Sequence, residues 1–526
     1  MTVENMQAEW RPKNNPWLIT VAVMTATFIF ALDGTIANVA LPQMAGSFSS
    51  SNEESMWILT SYLIASGIIL PSVDWFSKVF GRKNFFIGCI ILFTVASLLC
   101  GFAHTLPQMI VARILQGLGG GALMPISQAI LFESFPVEKR GMAMSVFGFG
   151  VIFAPVIGPV LGGYLTDTIS WHWIFYLNIP FGIIAAICSN LWLEDPPYAQ
   201  KQGFKKIDYV GFILLIVWLV SFQIFLDKGN NADWFNTGWI CWMFGISLVS
   251  MIAFFVSQLK NKESIIDISV FMDKNFSLGT IALVVVNGVL YASMAVMPIF
   301  LQNLVGYSAF LSGYALTPRG LGALIGVIIS GTLSNKIDER ILGAFGLLCM
   351  GISGLMFGYL NLQLSIINII IPNIVMGIGM TLSFIPITTL SMNTLSNAQM
   401  TNASGVQNLL KNIGGAIGTS FVVTMISRFS QMHQHSMVKH LNPLNPAFET
   451  RVTAITTALS QYMHVSVAEV KANYLMYVEL LRQSSLWAFM DTFRIFGMIA
   501  LVCIPILFLL DKNETDPNSE HVTVIH

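Results

Sequence analysis

Apolar runs of about 20 residues, the length a helix needs to cross a hydrocarbon core, recur along this chain between short polar segments. They predict spanning helices near residues 17–41, 56–76, 84–103, 107–131, 142–166, 172–193, 208–226, 237–258, 276–301, 311–333, 341–360, 364–391, 405–427 and 487–510. Fourteen spans is an even number, so both termini fall on one side. The intervening stretch "EDPPYAQKQGFKKID" (194–208) is polar, basic and proline-containing, and reads as a linker. The pattern divides the chain into an N-terminal tail (1–16), six helices (17–193), a linker (194–207), two inserted helices (208–258) and a second linker (259–275). Six more helices follow (276–510), interrupted by a long polar segment at 428–486, and then a tail (511–526). "GRKNFFIGCIILFTVASLLCGFA" and "DERILGAFGLLCMGISGLMFGYL" open the third helix of each set of six, a weak internal symmetry of the kind found in transporters built from parallel repeats.

Composition narrows the class. The chain of 526 residues is 55% hydrophobic and 10% charged, against about 25% charged in a soluble domain. So much apolar surface fits no single soluble core, which leaves an all-α polytopic membrane protein. A net charge of −1 gives no footprint for nucleic acid. The six cysteines form no C-x-x-C pair, so neither a disulfide frame nor a metal cluster is expected. With the N-terminus in the cytoplasm, sixteen Lys and Arg residues fall on inner segments and only Lys228 on a short outer loop. The long outer segment holds five, but long loops count little in this rule. Both termini are therefore cytoplasmic.

Four basic residues remain inside apolar runs: Arg113, Arg319, Lys411 and Arg494. Asp33 lies within the first run, "FALDGTIANVALP". A carboxylate near the bilayer centre costs roughly 2.5–3.5 kcal/mol on insertion scales, so a functional reason is expected. Asp33 falls about 12 Å below the outer end of its helix and Arg113 about 9 Å below the outer end of the fourth, which makes them natural partners. A static salt bridge and a titratable carboxylate facing an arginine in a water-accessible cavity both fit this pairing. Asn38 and Gln116 are polar cavity candidates beside it. In "ARILQGLGGGALMP" (112–125) the glycines allow close approach to neighbouring helices. In "GVIFAPVIGPVLGGYL" (150–165), Pro155, Gly158, Pro159, Gly162 and Gly163 recur at three- and four-residue spacing and leave one helix face bare and kinked. Arg319 and Lys411 suit helix locking or an anionic substrate, Asp491 and Arg494 a local ion pair. His433, His435 and His440 lie in the outer segment without a scaffold that would fix a metal. No H-E-x-x-H, P-loop or G-x-S-x-G occurs, so ATP-driven transport and common hydrolase chemistry lack support and no enzyme is expected.

These motifs together resemble the fourteen-helix drug:proton antiporters of the major facilitator superfamily, especially the EmrB type. "LDGTIANVALP" is similar to the family's first-helix signature, "RILQGLGGG" to its fourth-helix motif and "APVIGPVLGGYL" to its antiporter motif. "SWHWIFYLNIPFG" (170–182), "FLDKGNNADWF" (225–235, between the inserted helices), "TPRGLG" (317–322) and "NASGVQNLLKNIGGAIG" (402–418) follow in the family's order. The resemblance implies the major facilitator fold, two six-helix bundles plus two inserted helices. It implies a proton-coupled exporter of hydrophobic or amphipathic toxic compounds, with no cofactor, driven by the proton gradient. Asp33 would titrate, Arg113 respond with Gln116 beside it, and the fifth-helix glycines and prolines form the face that changes during alternating access. A periplasmic adaptor and an outer-membrane channel are implied partners, and the 428–486 segment is the docking surface expected for them, unless it simply caps the outer cavity. The setting implied is a bacterial inner membrane. The inner loop "DWFSKVFGRKNFF" (74–86) keeps Gly81, Arg82 and Lys83 of the superfamily pattern but has Asp74 and Lys78 where Gly and Asp are usual. Lys411 stands where arginine is common, and cannot make the bidentate fork. A dedicated cargo such as a siderophore, fatty acid or metabolite is the nearest alternative, and a non-transporting scaffold or receptor the next.

Overall fold

The computed structural model describes residues 12–135, 137–195, 208–260, 268–333, 337–363, 365–392, 394–395 and 397–511. The first half comprises α1 (Pro16–Ser47), α2 (Trp57–Ile69), α3 (Val73–Phe80), α4 (Arg82–Gly101), α5 (Leu106–Gly120), α6 (Leu123–Ser134), α7 (Val137–Thr168) and α8 (Asn178–Trp192). The inserted pair is α9 (Tyr209–Gly229) and α10 (Gly238–Lys260). The second half comprises α11 (Lys274–Ile299), α12 (Ala309–Leu316), α13 (Pro318–Leu333), α14 (Glu339–Phe357), α15 (Ile367–Met392), α16 (Asn397–Val438), α17 (Pro446–Leu459), α18 (Val465–Val502) and α19 (Ile504–Phe508). Local chemistry sets many of the starts. Asn15 caps α1 ahead of Pro16, and Thr105, Asp208, Asp273 and Asp338 cap α5, α9, α11 and α14, each side chain accepting from a first-turn backbone N–H. Gly81, at φ +84°, supplies the left-handed residue that separates α3 from α4.

Among the described residues, twelve helices are long and apolar enough to cross a membrane. The expected 56–76 span is present as α2 and α3, joined by a tight turn at Leu70–Ser72 that includes Pro71. The 142–166 span lies within α7, and the 107–131 and 311–333 spans are each divided in two, at Gly121–Ala122 and at Thr317. The largest departure is on the outer side. Helix α16 has 42 residues and α18 has 38, so each is longer than the roughly 30 Å hydrocarbon layer requires at 1.5 Å per residue. With α17 between them, they turn most of the 428–486 segment into a helical projection rather than a loop. Asn445 caps α17 directly ahead of Pro446.

In the first half α1 is buried among α6, α7 and α8, and α5 packs against α2 and α4; in the second, α15 packs against α13 and α14, and α11 against α16. The halves meet on both sides of the membrane. On the outer side the Phe310 backbone N–H donates to the Asp167 carboxylate at 2.7 Å. On the inner side a side chain at Gly405 would stand 3.9 Å from the Leu70 carbonyl. The inserted pair forms its own hairpin and lies against α2 and α16.

Candidate transport site

Asp33 and Arg113 are both fully buried, and the Arg113 Nη1 donates to Asp33 Oδ2 at 2.7 Å. The network around them reaches five helices. Gln116, one turn beyond Arg113 on α5, donates through Nε2 to Asp33 Oδ1 at 2.9 Å and accepts from Arg113 Nη1 at 2.7 Å. Asn178, the first residue of α8, donates to the same Asp33 oxygen at 2.8 Å. Ser97 of α4 accepts from Gln116 at 2.7 Å and from Asn178 at 3.3 Å. Arg113 Nε donates to the Ile58 carbonyl of α2 at 3.1 Å, and the guanidinium lies over the Tyr62 ring at 4.4 Å and the Phe175 ring at 5.4 Å. Asp33 thus accepts one charged and two neutral hydrogen bonds, whereas Arg113 Nη2 and Asn178 Oδ1 have no hydrogen-bond partner among the described residues.

Glycine explains how five helices converge. A side chain at Gly117 would stand 2.5 Å from the Tyr62 carbonyl, and one at Gly119 would stand 2.6 Å from the Phe93 amide nitrogen. Without them α5 could not press its backbone against both α2 and α4, and Arg113 would not reach Ile58 and Asp33 together. The first apolar run predicts an outer end for α1 at Leu41, but the helix runs on to Ser47. The two residues still meet, because α1 projects further outward than α5.

The glycine-proline face of α7 sits between the halves. Gly158 abuts Thr35 and Gly162 abuts Ile36, both on α1 within three residues of Asp33. On the other side, the Pro159 carbonyl meets Gly313 of α12. Gly163 is buried, and the Pro155 side chain lies outside the described residues. Asn38 is half-buried on α1. Five residues on, it is turned about 140° around the helix from Asp33, away from the network. In the inner loop, the Lys83 backbone N–H donates to Asp195 at 2.8 Å and its Nζ to the Asn190 carbonyl at 2.7 Å, tying α4 to the end of α8. Arg82 is half-buried beside it; the Asp74 and Lys78 side chains lie outside the described residues.

The second half places its cations differently. Arg319 is buried, donating to Asn373 Oδ1 at 3.1 Å and to Ser293 Oγ at 3.0 Å, with Nη2 unpartnered among the described residues. Lys411 is buried with its ammonium 4.8 Å above the Phe384 ring. One turn on, Gly415 lies against the Tyr291 ring, whose phenol is within electrostatic reach of Tyr62 across the halves. Asp491 pairs with Arg494 at 2.9 Å and also takes His433 at 2.8 Å, a contact between α16 and α18. Among the described residues no group of His, Cys, Asp and Glu is arranged to hold a metal. Ser97, Asn178 and Tyr62 escaped the sequence reading. Only Asn178 left a trace there, as the lone amide in "FYLNIPFG".

Comparison with known proteins agrees with this architecture. The Major Facilitator Superfamily profile matches residues 23–419. The multidrug export protein EmrB of Haemophilus influenzae is 33% identical over 82% of this chain and 84% of its own length. The fatty acid resistance protein FarB of Neisseria gonorrhoeae is 33% identical over 81% of this chain and 83% of its own. An inward-facing, occupied structure of a bacterial homolog to the human lysosomal transporter Spinster superposes with a TM-score of 0.58, covering 94% of this chain and 97% of the other at 17% identity.

Proposed function

The chain belongs to the major facilitator superfamily, and on that premise we propose that it is a proton-coupled antiporter exporting hydrophobic or amphipathic toxic compounds by alternating access. It is an integral protein of a bacterial inner membrane, and its relatives are transporters rather than enzymes. The observation that carries the reading is the buried Asp33–Arg113 pair. A buried ion pair is weak evidence for stability, since a well-packed apolar pair of similar volume is often as stable or more so. A carboxylate that must exchange a proton has no such substitute.

The cycle follows from the contacts. Ionised Asp33 balances Arg113; the protonated acid does not, and the guanidinium is left with the Gln116 and Ile58 oxygens and two aromatic faces. The balance between α1 and the α2–α5 pair then changes. Thr35 and Ile36 carry that change to Gly158 and Gly162 of α7, and the Pro159–Gly313 contact carries it to the second half. A substrate drives the opposite shift only through different affinity for the two states. The proton gradient supplies the energy, and no cofactor is required. In proteoliposomes with an imposed pH gradient, Asp33→Asn abolishes substrate movement while the protein still folds; full transport against a gradient by that variant would sink the assignment.

One feature favours a narrower class within this reading. Among the described residues Lys411 has no carboxylate partner, and it lies on the side of the second half that faces Tyr62. An amphipath with an acidic group would supply the missing counter-charge, and FarB is named for resistance to fatty acids. For the outer face, a periplasmic adaptor leading to an outer-membrane channel is the partner proposed. Val467, Val470, Tyr474, Val478 and Leu481 form an exposed apolar stripe along the projecting part of α18, suited to such a contact. Replacing that stripe with serines leaves transport in vesicles intact and abolishes resistance in cells.

A further inference from the structure

Within eight residues, the outer end of the inserted pair grips both halves. The Leu226 carbonyl accepts from Ser420 of α16 at 2.5 Å, and Asp233 pairs with Arg428 of α16 at 2.5 Å. Asp233 also holds Asn236, and these two contacts keep its carboxyl below the usual range. Lys228 lies 5.7 Å above the Trp57 ring at the start of α2 and within electrostatic reach of Glu54. Asp227 faces the first half as well. The Thr60 hydroxyl of α2 faces its carboxyl group, and Gln223, one turn earlier on α9, donates to Oδ1 at 3.2 Å. Asp227 Oδ2 is buried and has no hydrogen-bond partner among the described residues.

This environment is the reverse of that around Asp33. Lys228, beside Asp227 in sequence, is the one charged group in electrostatic contact with it among the described residues, and its ammonium is directed to Trp57 and Glu54. Arg428, the cation α16 presents nearby, is taken by Asp233. A half-buried carboxyl with two neutral neighbours and one buried, unpartnered oxygen is better solvated as the acid; its ionised form needs water or a cation at that oxygen. Opening of the α2–α9 seam would supply water from the outer side.

We infer that Asp227 is a second proton-binding carboxylate of the exporter, and that its charge state sets the grip of the inserted pair on α2. Its place in the cycle rests on the antiporter reading, whereas the proton site itself is read from the contacts above. The two sites share one turn of α2, since the Ile58 carbonyl holds Arg113 and Thr60 faces Asp227.

Infrared spectroscopy of the purified full-length protein tests the site directly. The expected result is a protonated-carboxyl band that fades as pH rises, is missing in Asp227→Asn and is retained in Asp33→Asn. Thr60→Val, which keeps both carboxylates, moves the midpoint to higher pH because the ionised form loses a polar neighbour. A band unchanged in Asp227→Asn, or one that does not respond to pH, would overturn the site. In proteoliposomes Asp227→Asn lowers the number of protons moved per substrate, and an unchanged ratio would overturn its part in the cycle. Absence of proton-driven movement in the unmodified protein would instead remove the antiporter reading, leaving the infrared result to stand alone.

Discussion

Arg113 in the first half faces a carboxylate at 2.7 Å, while Arg319 in the second donates only to neutral oxygens at 3.1 and 3.0 Å and Lys411 rests against an aromatic face. The halves share helix order, so the matching positions can be compared. Counted from Pro16 and Lys274, the first residues of α1 and α11, Asp33 and Tyr291 stand equally far along. Counted from Leu106 and Ile367, Arg113 and Asn373 agree to within one position. Where one half holds an acid and a base, the other holds a phenol and an amide, and it takes its arginine from α13. The buried arginine of the first half is balanced by Asp33 without a ligand. Among the described residues the buried Arg319 and Lys411 of the second half have no carboxylate beside them, a difference that fits the proposed division between proton exchange and cargo.

The largest expected effect comes from unbalancing the balanced half. Arg113→Gln leaves Asp33 buried beside neutral donors, and stability falls by about 3–5 kcal/mol, the range for a broken buried pair. Thermal unfolding in detergent checks this. Adding Asp33→Asn to that variant restores most of the loss while transport stays absent. If the double variant is no more stable than Arg113→Gln, the pair is not the unit described here. Next comes the contact that links the halves. Gly158→Leu forces α7 away from Thr35, and pH-driven efflux falls by about tenfold or more without loss of substrate binding; retention of full efflux would remove α7 from the coupling path. Lys411→Gln separates cargo classes: acidic amphipaths lose about tenfold in affinity, roughly 1.4 kcal/mol, and neutral ones lose little. Equal losses for both would show that Lys411 does not read charge. Arg319→Lys has the smallest effect, about 1 kcal/mol in stability, because a point charge keeps one of the two neutral hydrogen bonds.

Much of this was legible in the chain. Each spanning helix satisfies its own backbone hydrogen bonds in lipid, so hydropathy alone marks it. Asp33 and Arg113 stood out because charges in apolar runs are rare and costly. Ser97 and Tyr62 did not, since neutral polar residues are common in membrane helices and carry no signal of a partner. Asp227 was hidden for another reason. The apolar window ends at 226 and leaves Asp227 to the loop, whereas α9 continues to Gly229 and sets the half-buried carboxylate against α2.

The sequence by itself determined the helices, their orientation and the family, because these follow from hydropathy, basic-residue bias and motifs carried within single segments. Only the tertiary structure decided which polar groups meet. It joined Asn178 of α8 to Asp33 of α1 and His433 to Asp491, left Lys411 without a carboxylate among the described residues, and turned most of the 428–486 segment into projecting helices. Those contacts join residues far apart in the chain, and they depend on how closely glycine faces let helices approach, a distance that no local pattern encodes.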